Sequence, residues 1–328
     1  MRAVRIYNER KIMNSYRLIL TAALLSLSAA AQVKVSDFPA DTKMLAHIDM
    51  KALVNSKVGD LIKAAMDEKT NRKLDAFKAM SGIDVMKDLD SIFFLGGAEN
   101  EGSGVLYASG RFDIKKLTAI LGGNGAFKSN PYGAHQILSW SDNEQDKYGC
   151  FVNPTLAVLA DDLTALKKSL SVIDGKGARL ASASPLAPVI KSQSNRFAAL
   201  YANKLDVVAE SVPQLAMLKQ ANALELSVGQ ASAEQADLLL NASLSTATLE
   251  EAQQMGAMVM GLQALLMIQA QQNPEMAALA QNFKSEVKDK TITMNLKVTA
   301  GQLKQQLADA MKKANAKPVK APAAPPMQ

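Results

Sequence analysis

Cysteine is almost absent: Cys150 is the only one in 328 residues. One thiol cannot close an intramolecular bridge, so a disulfide framework is excluded and stability has to come from a hydrophobic core. Its neighbours Tyr148, Gly149, Phe151 and Val152 read as a strand, which makes Cys150 a buried, inert thiol, because reactivity needs an electropositive and accessible setting. Histidine is nearly as scarce. His47 and His135 are the only two, and neither has a second histidine or cysteine at metal-ligand spacing. Aromatic residues make up 5% of the chain, and beyond the N-terminus no apolar run reaches the roughly 20 residues that a membrane-spanning helix needs.

A basic folded surface is missing as well. Five of the 37 basic residues and one of the 31 acidic residues fall in positions 1–31, which leaves 32 against 30 for the remainder. Four lysines (Lys312, Lys313, Lys317, Lys320) lie beyond Met311 with no acid among them, so residues 32–311 carry 28 basic against 30 acidic groups. The pI near 9.2 therefore belongs to the two ends of the chain. A nucleic-acid reader should show a basic face on its folded part, and this charge distribution excludes that class.

What is present begins with an address. Arg17 precedes the apolar run 18–27, which ends in Ser28-Ala29-Ala30-Ala31 before Gln32, the order of a secretory signal peptide. Cleavage is expected after Ala31, and translation from Met13 would give a leader of ordinary proportions, with residues 1–12 as an upstream extension. No cysteine follows the small residues, so a lipid-attachment site is lacking and a soluble exported product is expected.

The stretch 249–283 organises the rest. Residues 255–268 read MGAMVMGLQALLMI, with Gln263 the only polar side chain, and a helix apolar on every side is expected to be buried. Thr246 or Thr248 can cap it, Glu250 and Glu251 place negative charge in its first turn, and Asn273-Pro274 should break or kink it. Gly256 and Gly261 would be most comfortable where another backbone approaches. Its methionines suit either an irregular core or an adaptable apolar groove, and Met255, Met258, Leu262 and Met267 are the candidate lining of such a groove.

The chain also carries a weak internal duplication. The strand-like 43–49, ending in the capping Asp49 and followed by a helical stretch 50–80, is echoed by 196–203 and a helix from about 206 to 221. The strands 92–97 and 104–112 are echoed by 224–229 and 237–245, and each set is followed by a helix. Both halves end in a strand running into a capped helix: 156–160 with Asp161 or Asp162 as cap, then Leu166, and 291–298 with Thr299 as cap, then Leu303. The first half adds a hairpin, 135–141 with 147–153.

The resulting expectation is α+β: two tandem β-α-β-β-α-β units with mixed or antiparallel sheets covered by helices. The first unit spans 32–174 and the second 196–313, containing the Met-rich helix 249–272. A Gly/Ser/Pro-rich connection at 175–195 joins them, with a short helix at 186–190, and a disordered Pro/Ala/Lys tail follows at 314–328.

The sequence carries no catalytic, cofactor or metal signature. Residues 122–129 (GGNGAFKS) lack the adjacent Gly-Lys of a phosphate loop and follow a helix, so they read as a helix end and turn. Ser285 and Lys288 fit S-x-x-K by letters, yet without companion motifs and at a helix-to-strand junction. Asp84, Asp88 and Asp90 lack the glycine of a calcium loop and read as caps. His47 shares a strand face with Leu45 and Asp49, which favours a hydrogen-bonded structural role over that of a base.

The leader, the opening strand with Asp49, the duplicated order and the closing DKTITMNLKV before a Leu-rich helix resemble a broad class of exported bacterial α+β proteins of the domain-of-unknown-function type. That resemblance implies fold and compartment and assigns no site residues. The expected function is a non-catalytic binding or structural protein of the bacterial envelope, periplasmic or extracellular, whose partner is an envelope protein or an apolar small molecule. The alternatives are a carrier of an apolar ligand using the Met-lined groove, or a hydrolase with an unrecognised site that uses His47 or a serine.

Overall fold

The computed structural model describes residues 33–96, 104–123, 127–142, 145–193, 195–203, 205, 220–271 and 274–316. The expected leader at 1–31, most of the helix expected at 206–221 and the last twelve residues of the tail lie outside them.

β1 (Met44–Asp49) runs into α1 (Met50–Val54), where the Asp49 carboxylate accepts the Ala52 N–H at 2.8 Å, as a capping acid should. The helical stretch expected at 50–80 is broken rather than continuous. Ser56 and Asp67 each cap a new helix, giving α2 (Lys57–Ala65) and α3 (Glu68–Ser81), and Asp84 caps α4 (Val85–Asp88). The chain continues through β2 (Leu89–Gly96), β3 (Gly104–Gly110), α5 (Ile114–Gly122), β4 (Lys128–Tyr132), β5 (His135–Asp142), β6 (Gln145–Asn153), β7 (Leu156–Ala160) and α6 (Leu163–Ile173). A short α7 (Ala187–Ile190) lies in the connection, followed by β8 (Arg196–Ala202), β9 (Ala223–Ser232) and β10 (Gln235–Ser245). α8 (Leu249–Ala270), α9 (Pro274–Asn282), β11 (Phe283–Lys288), β12 (Thr291–Val298) and α10 (Ala300–Ala316) complete it.

Among the described residues the twelve strands form one sheet in the order β11-β12-β10-β9-β8-β1-β2-β3-β7-β6-β5-β4, with every pairing antiparallel. Outward from β1 the order is β2-β3-β7-β6, and outward from β8 it is β9-β10-β12-β11. β1 and β8 pair with each other, His47 opposite Ala199, so the two strand sets share one hydrogen-bonded ladder.

Alternation along the strands fixes two faces. One carries Leu45, Phe93, Tyr107 and Val158, which lie under the 3-10 turn at Val35–Asp37 and α6; Phe38 stacks edge-on against Tyr107 at 5.1 Å, and Leu166 and Leu170 are fully buried. The other carries Ala108, Ala157 and Leu159 in the first strand set and Leu244 and Ile292 in the second. Leu244 and Ile292 join Ala252, Met255 and Val259 of α8 in one core cluster.

Several boundaries differ from expectation. Residues 283–288 form an edge strand, not a helix end, because Phe283 to Lys288 find ladder partners on β12 from Leu296 to Thr291. The edge strand β4 (Lys128–Tyr132) begins inside the stretch 122–129 expected to be a helix end and turn, and α10 runs on to Ala316 where the tail was expected to begin at 314.

The all-round burial expected of α8 is corrected as well. Thr248 and Glu251 form its capping box, and the chain does break before Pro274. Burial, however, is confined to one stripe, Ala252, Met255, Gly256 and Val259, while Met260, Leu265 and Ile268 are exposed. A helix lying on one layer covers about one stripe, and burying its outer side would require a second layer. Gly256 is needed where Val287 of β11 crosses: an added Cβ would stand 2.3 Å from Val287 Cγ2, whereas nothing approaches Gly261. Gln263, the lone polar residue, turns inward and donates to the Phe283 carbonyl at 3.2 Å.

Candidate functional site

The four residues proposed for a Met-lined groove are divided by the fold. Met255 is fully buried against the sheet. Met258, Leu262 and Met267 stand 48%, 52% and 50% exposed on the outer side of α8.

His47 is held as a structural group. It is 3% exposed, and its ring stacks on Phe93 with centroids 4.3 Å apart. Nδ1 lies 2.9 Å from the Val189 carbonyl, which can only accept, so Nδ1 carries the proton and Nε2 accepts from the Ser91 hydroxyl at 3.3 Å. Burial pushes the imidazole pKa below its ordinary value, outweighing the Val189 carbonyl and Asp49, which act to raise it. The Ser91–His47 contact has the letters of a nucleophile–base pair, but a base must reach the proton it takes in a bound substrate, and this ring is closed off.

The remaining candidates resolve as structure. Asp84 caps α4 and pairs with Lys78 at 3.0 Å, and Asp88 pairs with Arg111 at 2.8 Å. Ser285 and Lys288 lie three residues apart on β11, hence on opposite faces of a strand. His135 meets Asp174 at 2.8 Å, and this contact holds the Asp174 carboxyl below its usual range. Cys150 is buried and its thiol is pushed up to about 11, mainly by burial, so it stays protonated and inert at neutral pH. No group of three or more potential metal ligands occurs among the described residues.

The feature that sequence reasoning did not find is a cavity of about 280 Å³ on the face opposite α6. Its floor is made low by small residues: Ala108 of β3 lies opposite Ala157 of β7, and Gly149 of β6 lies between Leu159 and Leu138 on the neighbouring strands. Trp140 leans over Gly149, where an added Cβ would sit 3.3 Å from the indole ring. Leu117 and Leu121 of α5 and Phe77 of α3 form the roof, and Ile83 and Val85 close one side. Not one charged side chain lines it. Phe77, 40% exposed, stands at the rim. The signal in the sequence was the placement of Ala108, Gly149 and Ala157 in strands, but their alignment depends on register that the sequence does not display.

No family model and no curated protein matches the sequence. Among solved structures, crystal form III of TP0453 is similar with a TM-score of 0.52 at 12% identity, over 85% of this chain and 99% of that one. Crystal form IV of TP0453 gives 0.51 at 12% identity, over 85% and 98%. At such identity the likeness shows the α+β fold alone. No described helix is long and apolar enough to cross a membrane.

Proposed function

We propose that this chain is an exported, non-catalytic binding protein of the bacterial cell envelope whose apolar ligand is held in the cavity beneath α3 and α5. The observation that carries the reading is the cavity itself: about 280 Å³ bounded by apolar side chains, close to the lower end of ligand-site volumes. Apolar walls of this kind gain dispersion contacts and lose water-exposed apolar surface when an apolar ligand packs against them. The charged, apolar, small-residue order ending at Ala31 supports export.

The same reading takes 32–174 and 196–313 as two copies of one β-α-β-β-α-β unit. The matching strand orders outward from β1 and from β8, and the antiparallel pairing of those two strands, support it. A second reading is favoured by the half-exposure of Met258, Leu262 and Met267: an apolar helix surface suited to an envelope protein partner.

Native mass spectrometry of the protein exported from a bacterial host tests these points together. The expected result is a mass starting at Gln32 with an apolar adduct that denaturation releases. A clean mass combined with failure to take up any apolar dye sinks the carrier reading, and a retained protein partner in the spectrum moves the helix surface to the front.

A further inference from the structure

The dimensions of the cavity specify its ligand further, on the premise that it binds one at all. The floor runs across β3, β7, β6 and β5, from Ala108 through Ala157 and Gly149 to Leu138. Three strand spacings make a trough about 14 Å long. Its volume sets the content: a cavity of roughly 150 Å³ accepts one benzene, six carbons, so about 280 Å³ accommodates about eleven. A trough this long and of this volume is narrow, which suits an extended chain and disfavours a compact ring system.

The chemistry of the walls restricts the ligand as well. Ala108, Ala157, Leu138, Leu117 and Leu121 offer no hydrogen-bond partner to a polar head, and burying an unpaired carboxylate or phosphate among them is strongly unfavourable. The head must therefore stay in water at the rim, beside Phe77 on α3. α3 is lightly held for a roof helix: Ser81 is its one buried residue, and it lies between the Asp67 cap and Gly82, whose φ of +79° ends it. We infer that the cavity takes the hydrocarbon chain of a single-chain amphiphile, about ten to twelve carbons deep, with the head left outside beside Phe77.

The test is displacement of an environment-sensitive apolar dye from the mature protein by straight-chain carboxylates from hexanoate to octadecanoate. The expected affinity rises about fourfold per added methylene, then levels off at about the twelfth carbon. Ala108→Phe, which fills the floor, should weaken dodecanoate at least about tenfold and move the break to shorter chains; Ala157→Leu should do so to a smaller extent. Circular dichroism and the melting temperature of both variants confirm that they are folded. Affinity that climbs through octadecanoate without a break, that is indifferent to chain length, or that both folded variants retain in full overturns this ligand while leaving a carrier of another apolar molecule intact. A wild-type protein that binds neither dye nor any carboxylate overturns the carrier reading itself, and this inference with it.

Discussion

His47 is a buried residue of β1 whose ring is fixed by distant partners. Position and alternation are visible in the sequence, and they point to a hydrogen-bonded histidine on β1. Its partners, the Val189 carbonyl and the Ser91 hydroxyl, lie 142 and 44 residues away and are supplied by the fold. Because burial holds the native pKa below 6.5, the unfolded chain binds a proton first as pH falls. The neutral ring's contribution is complete above about 6.5 and is lost as pH drops toward the native pKa, with a slope of at most about 1.4 kcal/mol per pH unit. Urea denaturation across pH 7 to about 5 should therefore show falling stability in the wild type and a flatter profile in His47→Gln. Equal slopes in the two proteins would mean that His47 does not titrate differently on unfolding.

At the scale of the element, α8 separates pattern from environment. Its start, cap and break are legible: Thr248 with Glu251, and the stop before Pro274, follow from local backbone chemistry. Its burial is not, since a uniformly apolar sequence does not say which stripe meets a partner, and Gln263 faces inward where an amphipathic pattern would have turned it out. Stability should reflect the observed stripe. Met255→Ala is expected to cost about 2–5 kcal/mol, while Met258→Ala should stay within about 0.5 kcal/mol. Comparable losses in chemical denaturation would show that both faces are covered. The edge strand β11 was hidden for a related reason: Lys284, Glu286 and Lys288 give it the charge expected of a protected sheet edge, and its ladder partners on β12 lie across a tight turn.

At the scale of the whole molecule, the pairing of β1 with β8 sets the behaviour, because it joins two strand sets through one ladder. Helices add to the join: Val58 of α2, from the first half of the chain, packs with Val298 and Leu303 from the end of the second. Thermal unfolding should accordingly be one transition, lowered as a whole by Leu166→Ala in the first half or by Ile292→Ala in the second; calorimetry showing two peaks, each moved by only one variant, would mean that the halves fold separately. The sequence by itself determined the α+β composition, most strand positions and the helix caps, because these follow from local periodicity and backbone chemistry. Only the tertiary structure decided the continuous sheet, the one-sided burial of α8 and the cavity over Ala108, Gly149 and Ala157. These depend on strand register and on which layers meet, and both are set by contacts between residues far apart in the chain.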